Sequence, residues 1–226
     1  EYRGDKGPLL MERGPCNNPL FKAFFESVVE AGYSLTKDVN GYKQEGFASF
    51  DRNLYRGRRY SAARAYLHPV KNRSNLTIHC STLTTKILFE NKKSGLPRAI
   101  GIEYSKKNNF FKKVFGDEII CCGGAFNSPQ LLQLSGIGNK KELEELDIDV
   151  IQDLPGVGEN LQDHLEVYIQ YACKKPVSMS PSLKWWNKPW IGYKWLFHRK
   201  GAASTNHFEA GGFIRSNDEE KYPNVM

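Results

Sequence analysis

The fold is decided by residues 117–138, which read DEIICCGGAFNSPQLLQLSGIG. The stretch opens with two charged residues and a continuous apolar run, a pattern that predicts a strand at Asp117–Cys122 buried on both faces. Two glycines follow at once, and Ser128-Pro129 then predicts a helix with Ser128 as its N-cap and Pro129 in its first position. The stretch therefore predicts the strand–turn–helix unit of an α/β fold.

The glycine turn of this unit has a pattern that suits a nucleotide. Where Cβ atoms are missing, a ligand can approach the backbone, and a helix N-terminus offers free N–H groups and a positive dipole end to an anion. In open α/β sheets, ligands lie beyond the carboxyl ends of the strands. We therefore expect Gly123, Gly124 and Ala125 to contact a nucleotide cofactor. A turn that is needed only for packing explains the same glycines equally well.

The segments on either side predict a mixed α/β chain (α+β overall) with two changes of domain. An amphipathic helix starting at Asn17 or Asn18 precedes a loop-rich region, and several short strands lead up to the central stretch. A further strand at Leu165–Tyr171 and another at His207–Arg215 follow it. The pattern changes near residues 60 and 163, so the predicted segments are 1–60, 61–163 and 164–226.

Composition excludes several classes of protein. The net charge is +7, but the lysine pairs are scattered along the chain, which favours a solvated surface over a nucleic-acid face. No apolar run approaches the roughly 20 residues of a membrane-spanning helix. The five cysteines show no CxxC spacing and are odd in number, which argues against a zinc site, or any other metal site, and against a disulfide framework. Cys121 and Cys122 are expected to be small core residues.

Five segments carry a resemblance to a known family. Residues 124–138, GAFNSPQLLQLSGIG, resemble the second conserved motif of the glucose-methanol-choline (GMC) oxidoreductases along its full length. Residues 155–164, PGVGENLQDH, are similar to the family segment that follows it. Similarity to the choline-oxidising branch of the family is carried by residues 40–47, 59–69 and 207–215. The resemblance covers essentially the whole chain.

The resemblance implies FAD as the cofactor and a doubly wound FAD-binding domain, of which residues 61–163 are a part. Residues 1–60 would belong to the substrate domain and a cover segment, and residues 164–226 would begin an antiparallel-sheet substrate domain. Thr84 looks like the position whose backbone meets the adenine, although a plain strand residue is equally compatible with the sequence. The implied cofactor contacts are Thr84, Gly123, Gly124, Ala125, Asn127 and Ser128.

The implied reaction is hydride transfer from an alcohol to the flavin, with choline oxidised to betaine aldehyde. Another GMC alcohol or sugar dehydrogenase or oxidase, or an inactive fragment that only binds, remains an alternative. Glu209 is similar in position to the acidic residue that family members use for the ammonium group, but an exposed carboxylate at a strand end is equally possible. The catalytic histidine is expected beyond residue 226, so none of the five histidines is assigned to that role. The electron acceptor stays open.

The resemblance also implies a mitochondrial location. A secreted protein is the alternative, because two glycosylation sequons begin at Asn72 and Asn75.

Overall fold

The structure is a computed structural model that describes residues 4–90, 95–106 and 110–226. The chain divides into two compact units. The central unit is Thr77–Tyr168, and the split unit combines the residues up to Leu76 with Ile169–Met226.

The helices and strands of both units are short. The α-helices are α1 (Pro19–Glu30), α2 (Gly124–Leu134), α3 (Lys140–Glu145), α4 (Ser180–Leu183) and α5 (Lys188–Tyr193). The strands are β1 (Glu12–Arg13), β2 (Gly46–Ser49), β3 (Asp51–Arg52), β4 (Leu54–Tyr55), β5 (Arg58–Arg59), β6 (Leu83–Glu90), β7 (Arg98–Ser105), β8 (Phe111–Phe115), β9 (Ile137–Gly138), β10 (Gln152–Asp153) and β11 (Ala210–Phe213).

The central unit contains an antiparallel sheet in the order β6–β7–β8. Ile87 on β6 lies opposite Ile102 on β7, and Ile102 in turn lies opposite Val114 on β8. Such pairs of β-branched side chains across neighbouring strands stabilise a sheet. Ile87 is buried and marks the core of this unit.

A buried serine joins α2 to this sheet. Ser135 is only 1% exposed. Its hydroxyl donates to the Leu131 carbonyl at 2.6 Å and accepts the Ile87 backbone N–H at 2.8 Å. The end of the helix is thereby fixed to the middle of β6.

The chain then forms a small parallel βαβ unit, β9–α3–β10. Asn139 caps α3, its side chain accepting the Lys141 backbone N–H at 3.1 Å. Gly136 precedes β9 with a φ of +89°, and a Cβ at this position would lie 2.3 Å from the Asp149 carbonyl oxygen. Only glycine fits where the two segments approach so closely.

The split unit is built from two-stranded antiparallel pairs. Strand β1 pairs with β3, and β11 pairs with β2 although the two lie at opposite ends of the chain. Strands β4 and β5 form a hairpin whose two turn residues, Arg56 and Gly57, both have positive φ, as a type I′ turn requires. Of the two asparagines predicted near the start of α1, Asn18 is the cap and accepts the Leu20 backbone N–H at 2.9 Å.

The mixed helix-and-sheet class is confirmed, with small antiparallel sheets as its main β-structure. Within the described residues, the only named strands that pair in parallel are β9 and β10. The structure breaks after Leu76 and after Tyr168, further along the chain than the changes predicted near residues 60 and 163. The assignment of these segments to cofactor and substrate domains stays a prediction.

The strands predicted at 117–122 and 165–171 and the cap predicted at Ser128 are wrong. Asp117–Cys122 and Leu165–Tyr171 form no strand, and Cys121 and Cys122 are exposed rather than core residues. A strand needs a partner for its backbone, and no described residue pairs with either stretch. Helix α2 begins at Gly124, five residues before the predicted first position, so that Pro129 lies inside the helix.

We expect Ser135→Ala to lower the free energy of unfolding by about 1–3 kcal/mol, because it leaves the buried Ile87 N–H without an acceptor. Ser27→Ala is the matched control. The Ser27 hydroxyl also donates to the carbonyl four residues earlier, at 2.9 Å, but this serine is exposed. Urea unfolding of both variants in the full-length protein measures the difference. Equal losses would contradict a specific role for the Ser135–Ile87 bond.

Candidate functional site

The first candidate site is a cavity of about 590 Å³ in the central unit, beside the N-terminus of α2, and we call it the α2 cavity. Strands β6 and β7 supply one part of its wall, including Leu83, Thr84 and Ile102. The stretch before α2 and one face of the helix, from Asn127 to Leu134, supply the rest.

The structure brings four of the six predicted cofactor contacts together. Thr84, Gly123, Asn127 and Ser128 all line the α2 cavity. Gly124 and Ala125 do not line it, but they form the first turn of the same helix and are exposed. Gly124 has a φ of +84°, and a Cβ placed there would have no atom within 4 Å, so a ligand can reach this backbone freely.

The electrostatics of the α2 cavity suit a nucleotide. None of its lining residues is charged, and the first turn of α2 holds no acidic residue that would oppose an anion. The 11-residue helix directs its positive dipole end toward Gly123 and Gly124. Ser128 accepts the Gly123 N–H at 3.0 Å, so its hydroxyl shapes the turn although it is not the N-cap. Apolar side chains of the strands suit the flat base of a nucleotide, and the N–H groups at the helix end suit its phosphate groups.

Several residues of this site were not foreseen. Ile119, Ile120, Cys121 and Cys122 line the cavity, although the sequence predicts them as the interior of a sheet. Ile102 also lines it, on a strand that the sequence does predict. An uninterrupted apolar run is compatible with a ligand wall as well as with a core, so composition alone does not separate the two.

The second candidate site surrounds Glu209, which directly precedes β11 in the split unit. Glu209 is only 8% exposed, so the alternative of an exposed strand-end carboxylate is wrong. Its Oε1 accepts from Arg52 Nη1 at 3.0 Å and from the Thr205 hydroxyl at 2.8 Å. Its Oε2 accepts the Cys16 backbone N–H at 2.9 Å. Both oxygens are engaged, but only Oε1 has a cationic partner.

A largely apolar cavity of about 380 Å³ borders this carboxylate, and we call it the Glu209 cavity. Its wall includes Leu20, Phe21 and Met179, together with His207 and Glu209. Among its described lining residues, Glu209 alone carries a carboxylate. The site therefore combines one buried anion with an aromatic and aliphatic wall.

Three partners of Glu209 were missed by sequence reasoning: Cys16, Arg52 and Thr205. A buried carboxylate requires a cation and hydrogen-bond donors, so some arginine or lysine could have been expected nearby. The chain has 32 basic residues. The antiparallel pairing of β11 with β2, which are distant in the sequence, decides which of them meets Glu209.

The pKa of the Cys16 thiol is raised above its ordinary value. Burial is the main cause, the negative charge of Glu209 adds to it, and the positive charge of Arg52 opposes it. The thiol also donates to the Glu209 carbonyl oxygen at 3.3 Å. Cys16 is thus held as a neutral thiol beside the carboxylate.

Comparison with known proteins decides the family. The pattern of the GMC oxidoreductases matches residues 6–166. The chain belongs to the GMC oxidoreductase family. It is 54% identical over all 226 residues to oxygen-dependent choline dehydrogenases of Staphylococcus haemolyticus and Staphylococcus aureus, and it spans 39% of their length. An FAD-dependent oxidoreductase from Chaetomium thermophilum matches the structure with a TM-score of 0.77 and 28% identity, covering 94% of this chain and 37% of that one.

These relatives overturn one expectation. The mitochondrial location implied by the resemblance is wrong, because the relatives are staphylococcal proteins and bacteria have no mitochondria. Within the described part of the chain, no helix has the length and apolar character needed to cross a membrane. No cluster of three or more potential metal ligands occurs among the same residues.

We expect alkylation of Cys16 by iodoacetamide to require a higher pH than alkylation of free cysteine. The thiolate is the reacting species, so a raised pKa moves the midpoint of the rate–pH profile upward. Glu209→Gln removes one cause of the raised pKa and should lower the midpoint. Glu45→Gln, which alters a half-exposed carboxylate paired with Arg215, should leave it unchanged. Mass spectrometry of the labelled peptide measures the rate. If the midpoint of the rate–pH profile for Cys16 lay at or below that of free cysteine, the raised pKa of this thiol would be contradicted.

Proposed function

We propose that the full-length protein is an FAD-dependent oxidoreductase that oxidises choline to betaine aldehyde. The observation that carries the proposal is the buried Glu209 carboxylate at the wall of a small, otherwise largely apolar cavity. Identity of 54% to oxygen-dependent choline dehydrogenases across the whole chain supports the same substrate class.

The α2 cavity is the proposed place of the FAD nucleotide portion. Thr84 would meet the adenine through its backbone, and Gly123, Gly124, Ala125, Asn127 and Ser128 would surround the neighbouring part of the cofactor. The open space at Gly124 and the absence of charge on the cavity wall support this fit. The chemistry that bound FAD would supply is that of a hydride acceptor for the alcohol carbon. In the proposed division of the protein, residues 61–163 contribute to the FAD-binding domain.

The Glu209 cavity is the proposed place of the ammonium group. A quaternary ammonium has no N–H to donate, so it is held by electrostatic attraction and by aromatic faces, of which Phe21 supplies one. The chain carries a net charge of +7 and repels a cation at long range, so a local anion is needed to reverse that field. Arg52 offsets part of the Glu209 charge, but the Oε2 atom has only a neutral N–H as its partner.

The chain's own residues would bind and orient the substrate rather than move its hydroxyl proton. None of the five histidines is assigned as the proton acceptor. Residues 1–60 and 164–226 are proposed as parts of the substrate domain, and the split unit that holds Glu209 is drawn mainly from these segments.

Replacing Gly124 by Val should abolish retention of FAD during purification of the full-length protein, because the side chain fills the space open to the cofactor. Gly32→Val is the matched control. Gly32 has the same φ of +84° and likewise no atom within 4 Å of a Cβ, so it carries the same backbone strain away from the site. The ratio of flavin to protein absorbance measures the effect. Normal flavin content in a folded Gly124→Val protein would rule out the proposed contact.

We expect Glu209→Gln to lower kcat/KM for choline by about 30- to 150-fold, the effect of losing a close contact with a charged group. The neutral isostere 3,3-dimethylbutanol should be affected little. The ratio of the two kcat/KM values does not depend on how much enzyme is folded, so it remains informative even if loss of the Arg52 pair destabilises the variant. Glu45→Gln serves as the control carboxylate.

The two possible failures of this experiment are distinct. Equal losses for both substrates would show that Glu209 supports the fold through Arg52 rather than the substrate charge. Loss for neither would place Glu209 outside the substrate pocket, and the assignment would then return to a GMC alcohol oxidoreductase of another specificity.

A further inference from the structure

A second cavity of the split unit, of about 640 Å³, has no role in the function proposed above. We call it the arginine cavity, because Arg52, Arg58 and Arg59 line it together with Asp51, Trp195 and Thr205. Thr205 also lines the Glu209 cavity, so the Arg52–Thr205–Glu209 group separates the two spaces.

The charges on the wall of the arginine cavity do not balance. Asp51 supplies a carboxylate, but this group is already paired with Arg13 at 2.9 Å. Arg52 is paired with Glu209. Among the described residues, no carboxylate forms an ion pair with Arg58 or Arg59. The cavity therefore has an excess of positive charge.

Neighbouring arginines increase this excess. The pKa of the Arg58 guanidinium is lowered, chiefly by the positive charge of Arg64, then by desolvation and by the charge of Arg199. Two like charges thus act on Arg58. Such an arrangement costs free energy, which a bound anion would recover.

One arginine of the cavity wall also has a buried donor without a partner. Arg52 is only 6% exposed, and its Nε has no hydrogen-bond partner among the described residues. An unsatisfied buried donor is destabilising, and one on a charged group is more so. Native structures rarely leave such groups unpaired, unless a ligand or ion completes them.

The wall of the arginine cavity is braced. The Trp195 indole N–H donates to the Gly57 carbonyl at 2.8 Å, which fixes the ring against the β4–β5 turn. The Arg199 guanidinium lies over the same ring, 4.6 Å from its centroid. A Cβ at Gly57 would lie 2.2 Å from the Arg199 carbonyl oxygen, so only glycine permits this approach. The arginines are therefore presented by a defined scaffold.

We propose that the arginine cavity binds a small free oxyanion of the phosphate or carboxylate class. Guanidinium groups present planar sets of donors that match the oxygens of such anions, and the resulting hydrogen bonds are charge-assisted. One oxyanion would offset the positive charges of Arg58 and Arg59, which line the cavity without a carboxylate partner. Because the cavity is lined by arginine and Glu209 is not part of its wall, it is a different site from the one proposed for the ammonium group.

The test is isothermal titration of inorganic phosphate into the FAD-loaded full-length protein. We expect saturable binding, weakened about 10- to 100-fold by Arg58→Gln through the loss of a charge-assisted hydrogen bond. Arg59→Gln is a second variant, since this exposed side chain also lines the cavity and its replacement leaves the interior intact. Arg73→Gln is the control, because Arg73 is exposed in the same unit and does not line the cavity.

Each other outcome would overturn the proposal. If the unaltered protein showed no saturable binding of phosphate, the arginine cavity would not be an oxyanion site. If Arg73→Gln weakened phosphate binding as much as Arg58→Gln does, the binding would reflect only the general attraction of a basic protein for anions. The same titration is repeated on the protein after FAD has been removed. Phosphate binding by the FAD-free protein but not by the FAD-loaded protein would mean that the cavity accepts a phosphate of the cofactor rather than a free anion. The measurement does not involve choline, so it stands or falls independently of the proposed activity.

Discussion

Glu209 and Arg52 lie 157 positions apart in the sequence, yet their side chains meet at 3.0 Å in the interior of the split unit. Taking either charge out of water alone would be costly, so each makes the burial of the other possible. The pair also connects segments that no local interaction would join. Cys16 comes from the loop before α1, Arg52 from β3, and Thr205 from the loop before β11. The pairing of β11 with β2 brings Glu209 to this position.

The same ion pair divides the split unit chemically. On one side is a largely apolar cavity with a single carboxylate, and on the other is a cavity rich in arginine. Because opposite charges face separate spaces, the two cavities suit opposite ligands, an ammonium group and an oxyanion. The short distances among Arg52, Thr205 and Glu209 place these spaces back to back.

The central unit depends on a different constraint, the junction of α2 with its surroundings. Ser135 fixes the end of the helix to β6 through the Ile87 N–H, while Ser128 fixes the beginning through the Gly123 N–H. Between these points the helix faces the α2 cavity with polar residues near its start and with Leu131 and Leu134 near its end. The cavity is therefore positioned by two hydroxyl groups and by the lack of side chains at the turn.

Sequence alone determined the features that depend on local chemistry. A cap at Asn17 or Asn18, the strands around Ile87, Ile102 and Val114, the glycine turn and the family all follow from short motifs whose meaning does not depend on distant residues. Tertiary structure decided the rest. The run 117–122 forms no buried strand, and its residues 119–122 line the α2 cavity, because burial depends on which segments lie beside it. Helix α2 begins at Gly124, since the Ser128 hydroxyl secures the Gly123 N–H across an additional turn. The partnership of Glu209 with Arg52 has no local signal, because strand pairing over long separations selects which charges meet.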